Sequence, residues 1–198
     1  MNKLHFIIYL VILLLGCATK NKEMQSSSTV QNSEVPDSFF PVTSYIRGQI
    51  IILDSLPITP LQITVIKGKT DSTWGTKHTL KQFLAPFLNT EIKETNLVKY
   101  FKETRFNDQT LNAITFTYEP RMKLPDSISL RRWDVYVDPQ KGVVTKIYMV
   151  KQLKENDQRI TQQLTWQTNK LAKISTILNK PDGNVELLKE EQFIWNFE

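Results

Sequence analysis

Enzymatic chemistry needs nucleophiles, bases or metal ligands, and this sequence is short of them. Its 198 residues include two histidines and one cysteine. His5 falls in an apolar N-terminal run, which leaves His78 for the rest of the chain. A Ser-His-Asp or Cys-His arrangement would have to use His78, yet there is no Gly-x-Ser-x-Gly turn. Lys77-His78-Thr79 reads instead as an exposed polar stretch at the mouth of a helix. A zinc site of Cys/His type is excluded by numbers alone. Carboxylate pairs fare no better. Asp134 and Asp138 share one face of a predicted strand but stand about 13 Å apart at ~3.3 Å per residue. Glycosidase carboxyl pairs need ~5–9.5 Å. Asp138 is better explained as a turn residue before Pro139, and Glu190 and Glu191 point to opposite faces of their strand. Asn179 to Asn184 lacks the spaced oxygens and closing glutamate of a calcium loop. The six glycines are scattered, with no Walker or dinucleotide pattern. No catalytic, cofactor-binding or metal-binding residue is expected, and the chain reads as non-enzymatic.

The remaining reactive group is Cys17. Lys3 supplies one positive charge, and Leu4 to Leu15 is an apolar run with the length of a signal-peptide core, too short to span ~30 Å of hydrocarbon. The run ends in Leu14-Leu15-Gly16-Cys17, which resembles the lipobox of bacterial lipoproteins: an aliphatic residue at −3, a small one at −1, then the cysteine. Leu15 at −2 is larger than usual. The resemblance implies diacylglycerol on Cys17, cleavage between Gly16 and Cys17, and N-acylation, hence a palmitate-type lipid anchor. Each buried methylene contributes about 0.8 kcal/mol, so two or three chains hold a protein durably. The alternative is an ordinary secretory leader with a chance cysteine. By the same resemblance, Ala18 at +2 points to the outer rather than the inner membrane, with the periplasmic face as the default.

Residues 1–16 are thus expected to be a leader, 17–38 the lipidated cysteine with a tether, and 39–198 one folded domain. The tether, with Ser26-Ser27-Ser28 at its centre, is too polar to offset its ordering entropy and is expected to be disordered. Its ~20 residues would span roughly 25 Å. The chain is 40% hydrophobic and 23% charged, ordinary for a globular protein. A single cysteine allows no internal disulfide. The net charge of +5 is mild and spread out. Lys20/Lys22 and Arg131-Arg132 are its densest points, so no nucleic-acid partner is expected. Lys20 and Lys22 suit anionic headgroups beside an anchor, or are simply solvated.

Position and period supply the elements. After Phe39-Phe40-Pro41, the spacing Val42, Tyr45, Ile46, Gln49, Ile50, Leu53 predicts a helix, broadened by Ile51 and Ile52 and lying deeply on a sheet. A strand over Gln49 to Leu53 is the competing reading. Leu61, Ile63 and Val65 alternate as a strand, and Lys67-Gly68-Lys69 turns it back through Thr73 and Trp74. Leu80 to Leu88 forms a second helix that Pro86 should kink or shorten. A third, short helix is expected over Asn96 to Thr104. From Ala113 the period becomes two, giving strands through Tyr118, Val137, Leu153, Trp166, Leu178 and Trp195, with Pro181-Asp182-Gly183-Asn184 the clearest turn. The expected class is α+β, with N-terminal helices packed on a curved antiparallel sheet in a meander. All four tryptophans fall in predicted strands. Core and cross-strand packing explains them, unless some line a groove for an apolar ligand.

Phe39 to Asp54 and Asn112 to Tyr118 resemble small lipoproteins of diderm bacteria, a likeness that brings no activity with it. The order of elements is also similar to the carrier and receptor proteins of outer-membrane lipoprotein sorting, in which a curved sheet holds acyl chains. Two functions follow as expectations. One is a non-catalytic interaction or accessory protein of the envelope, anchored to the membrane through acyl chains on Cys17 and contacting a protein partner. The other is a carrier of a lipid or other apolar ligand in a half-barrel-like groove.

Overall fold

The computed structural model describes residues 38–196. The expected leader, Gly16, Cys17 and the tether up to residue 37 lie outside the described residues. Among the described residues no helix is long and apolar enough to cross a membrane.

The first helix, α1 (Val42–Ser55), is built as its spacing requires, with Val42, Thr43, Ile46 and Leu53 buried. This excludes a strand over Gln49 to Leu53. Pro41 stands at the cap, one position before the first helical residue. The expected breadth of the stripe is corrected: Ile51 and Ile52 are 66% and 50% exposed. At 100° per residue Ile51 falls on the far side from Val42, Ile46 and Leu53, and Ile52 on the flank. Helix α2 (Lys77–Leu88) starts with a capping box in which Thr76 and Thr79 satisfy each other's backbone N–H groups. It runs through Pro86, whose missing N–H falls in the last turn, and buries Leu80, Leu84 and Phe87.

Nine strands form one antiparallel sheet in the order β2-β1-β9-β8-β7-β6-β5-β4-β3. The strands are β1 (Leu61–Ile66), β2 (Lys69–Trp74), β3 (Phe101–Asp108), β4 (Ala113–Pro120), β5 (Leu130–Val137), β6 (Val144–Glu155), β7 (Gln158–Gln167), β8 (Leu171–Asn179) and β9 (Val185–Ile194). From β3 to β9 the sheet is a meander, each strand pairing with the next. The β1–β2 hairpin then adds to the far side of β9, with Leu61 opposite Ile194. The sheet does not close, so β2 and β3 are edges.

One expected element is replaced. In place of a helix over Asn96 to Thr104, turns lead to Tyr100 and β3 begins at Phe101. The backbone N–H groups of Tyr100 and Phe101 both donate to the Leu97 carbonyl, so Leu97 and Phe101 are buried as a helix would bury them, within a single turn. Beyond it, eight consecutive residues pair with β4. Satisfying that ladder outweighs the short helical signal.

The core lies on one face of the sheet and takes side chains from both helices. Trp133 stacks on Tyr118 at 4.5 Å, with Phe39 and Phe101 edge-on to Trp133. Across the sheet Phe87 meets Trp166 edge-on at 6.1 Å, and Phe83 lies 4.8 Å from Phe193. The Tyr45 hydroxyl donates to the Val144 carbonyl and shares a 2.8 Å hydrogen bond with Thr168. Trp74 lies outside the core, 65% exposed, with Leu61 as its cross-strand partner.

Gly75 marks the tightest junction. A Cβ there would lie 2.6 Å from a Phe193 ring carbon and 3.2 Å from Thr79 Oγ1. Phe193 is buried and cannot swing aside freely. Gly75→Ala should therefore destabilise the fold by about 1–3 kcal/mol, measured by chemical denaturation. Gly48→Ala, with open space around its Cβ and a helical backbone, should be neutral or stabilising.

Candidate functional site

The polar residues weighed for chemistry are dispersed. His78 is an exposed residue in the first turn of α2. Asp138 accepts the backbone N–H groups of Lys141 and Gln140, which hold its carboxyl below the usual range, as in a turn. Asp182 caps its own turn through Asn184. Glu190 takes hydrogen bonds from Lys173 and Ser175 on one face, and Glu191 pairs with Lys189 on the other. No cluster of three potential metal ligands occurs among the described residues. The structure brings none of these groups together.

Asp134 is different in kind from its sequence reading. It is 2% exposed, on the sheet face away from the helices. The Thr117 hydroxyl donates to it at 2.6 Å, and the Arg132 Nε reaches both its oxygens. Arg132 also pairs with Glu119. A buried carboxylate is tolerated only with partners of this quality, and here they come from two residues, Thr117 on β4 and Arg132 on β5. The network is closed on itself and binds the two strands.

Two polar features lie inside. The first is Lys151, 3% exposed on the helix side of β6. Its ammonium donates to the carbonyls of Pro86 and Asn89, the latter at 2.8 Å. These belong to the end of α2, where carbonyls lack helical partners and the dipole favours a cation. Burial pushes its pKa down to about 8. The second is the set of indole N–H groups of Trp133, Trp166 and Trp195. All three are buried and have no acceptor among the described residues. An unmet buried donor is uncommon, and three in one core are more so. The sequence pointed to tryptophans but carried no sign that their nitrogens would lack partners.

The sheet also changes its apolar side. Across β3 to β8 the buried large apolar residues face the helices, with Phe106 and Leu171 on the other side. At β9 the pattern switches: Phe193 faces inward and is registered with Gln62 and Ala172. Directly paired residues share a face, so Leu61, Ile63 and Val65 point outward. Trp74, Leu61, Ile194 and Leu171 are consecutive partners across β2, β1, β9 and β8. They form an apolar row on the side away from the helices. Trp74 is exposed and the other three are half-buried. Val185 and Leu187 extend the exposed apolar surface along β9. The alternation of Leu61, Ile63 and Val65 was legible in the sequence, but not which side it would take.

No family model, no curated protein and no solved structure matches the chain.

Lys151 gives a pH signature. Its folded pKa of about 8 lies below the ~10.4 of an unfolded lysine. Between these values the unfolded chain still holds a proton that the folded chain has released, so stability rises with pH across that window and is flat below it. Denaturant titrations from pH 7.5 to 10 should show a gain of about 1–3 kcal/mol that Lys151→Met abolishes. A stability that falls over the same range would refute the assignment.

Proposed function

We propose that this chain is an envelope lipoprotein, cleaved after Gly16 and anchored by acyl chains on Cys17, whose folded domain is a non-catalytic interaction or accessory subunit. The outer membrane is favoured over the inner by Ala18, with the periplasmic face as the default. The observation that carries the interaction reading is the apolar row Trp74-Leu61-Ile194-Leu171 on the side of the sheet away from the helices. Residues there do not add to the main core. A contiguous apolar surface rimmed by polar groups is how protein contacts are marked. The adjoining strand β2 is exposed along its whole length and is an edge of the sheet among the described residues. The fully buried rings of Trp133, Trp166, Tyr118, Phe87 and Phe101 give the interior the character of a packed core.

A second reading rests on a separate observation. The unpaired indole N–H groups of Trp133, Trp166 and Trp195 suit a ligand that brings acceptor oxygens among apolar atoms, such as an acyl ester. In this reading the sheet curves around the two helices as a half-barrel, and the helices yield to admit the ligand. Native mass spectrometry of the full chain distinguishes the two. Co-purifying lipid favours carriage, and a lipid-free species favours contact.

Two tests address the main proposal. Cys17→Ser should leave the protein unprocessed or released from the membrane fraction, and continued attachment of a processed form would defeat the anchor. A photo-crosslinker in place of Trp74 should capture an envelope protein in living cells. Ile63→Glu should reduce that capture several-fold, while a crosslinker at Ile51, exposed on α1, should not report the same partner. Equal capture from both positions would remove the sheet face from consideration.

A further inference from the structure

At the opposite end of the same sheet the β6–β7 and β8–β9 hairpin ends flank a recess of about 990 Å³. Arg131, Lys154, Arg159 and Lys180 line it, against the carboxylates Asp126 and Asp157. Its size is at the upper end for a small-molecule site.

The charge arrangement is unusual for a hairpin. Lys154 and Arg159 are direct cross-strand partners on β6 and β7, and Arg159 is in turn opposite Asn179 on β8. Like charges directly opposite are destabilising, and a hairpin designed only to fold would place a carboxylate at one of the two. Lys154 is partly relieved by Asp157 at 2.9 Å, a pair so exposed that solvent screens it heavily. Lys180 pairs with Glu186, outside the recess, at 2.8 Å. Arg131 and Arg159 make no ion pair with any described residue.

Arg131 is also held in place. Its Nε donates to Gln152 Oε1 at 3.0 Å, and one terminal nitrogen donates to the Ile128 carbonyl. The neighbouring Asn179 amide donates to the Arg159 carbonyl and to Thr161 Oγ1, fixing the floor beside Arg159. The turn between the two cationic strands is equally determined: Asn156 and Asp157 both have positive φ, the two-residue form that matches strand twist. Leu153 and Leu178 border the recess from the other face of the sheet, in register with Ile160.

We propose that this recess binds an organic phosphate, with Arg131, Lys154 and Arg159 around the phosphate and the remaining volume left for its organic part. A phosphate ester offers several acceptor oxygens with one negative charge as a diester or nearly two as a monoester, and this spread of acceptors suits two guanidinium groups and an ammonium better than a single carboxylate does. The phosphate belongs either to a lipid headgroup or to a soluble ester. The inference is independent of the protein-contact surface, which lies at the other end of the sheet.

The test is calorimetric titration of the full chain in a neutral detergent at low salt. The titrants are glycerol phosphate, dihexanoyl phosphatidylglycerol and inorganic phosphate. Saturable binding is expected for at least one organic phosphate, weakened about tenfold or more by Arg159→Gln and untouched by Lys173→Gln, which lies outside the recess. Tighter binding of the short-chain lipid identifies a headgroup site, and tighter binding of glycerol phosphate identifies a soluble ester. A second measurement guards against misfolding. Arg159→Glu should raise the melting midpoint without ligand, because it converts a like-charge pair into an opposite one, and should abolish any rise on adding the organic phosphate. The proposal is overturned if no organic phosphate saturates, or if Arg159→Gln binds as the parent chain does. Binding of inorganic phosphate alone, equal in parent and variant, also overturns it.

Discussion

The pairing of β1 with β9 is the constraint on which the rest of the molecule depends. It joins Leu61 to Ile194 and Ile66 to Lys189, residues more than 120 positions apart. Such a contact must offset a large loop-closure entropy, and it forms only when the meander already presents β9 as an edge. β9 is therefore paired on both sides, to β8 and to β1, and its register is fixed twice. Around it the backbone is tied down further: the Gly75 N–H donates to the Pro60 carbonyl at 2.8 Å, and the Trp195 N–H to the Lys170 carbonyl at 3.0 Å. Phe193, at the centre of this junction, packs against Phe83 of α2 and leaves no room for a side chain at Gly75. The hairpin, the second helix and the last strand are in this way one mechanical unit.

That junction also explains why the apolar side of the sheet inverts. The helices draw on Phe193, Ala172 and Ile174 for their cover, and the main core ends near β9. Beyond it, β1 and β2 turn polar residues (Gln62, Thr64, Asp71, Thr73) toward the helix side and their apolar ones outward. Period-two alternation makes the choice all-or-none: a shift of one residue in the β1–β9 register would move the entire set to the other face. The observed register leaves Leu61, Ile63 and Val65 outside, where they gain little from the protein's own core. A sequence selected for folding alone would be expected to bury them.

What was legible in the sequence follows from the range of the interactions. Both helices and every hairpin turn are local events. The spacing of Val42, Ile46 and Leu53 and the Asp182-Gly183 turn act within a few residues, and each was visible without a structure. The third helix failed because its signal was local and its competitor was not: the free edge of β4 supplied eight residues of ladder to Phe101–Asp108. Lys151 was invisible for the same reason. Nothing near it in the chain says that the carbonyls of Pro86 and Asn89 will arrive opposite its ammonium. The like-charged partners Lys154 and Arg159 were equally hidden, since their opposition depends on where the hairpin turns. Cys17 is the reverse case, read wholly from sequence and lying outside the described residues.

The two surface features that a folding argument leaves unexplained stand at opposite ends of one face. The apolar row crosses β8 at Leu171, and the cationic row crosses it at Asn179. Eight residues of extended strand separate them by roughly 27 Å. A single small ligand cannot touch both, whereas a protein partner of ordinary interface size, about 800 Å² on each side, could cover one end and leave the other free. The separation would also matter for a domain anchored as proposed. A phosphate-bearing surface engaging the Arg131–Arg159 end would orient the sheet so that Trp74 and Leu61 are held away from it. The open edge β2 would then be presented to whatever protein approaches from the far side.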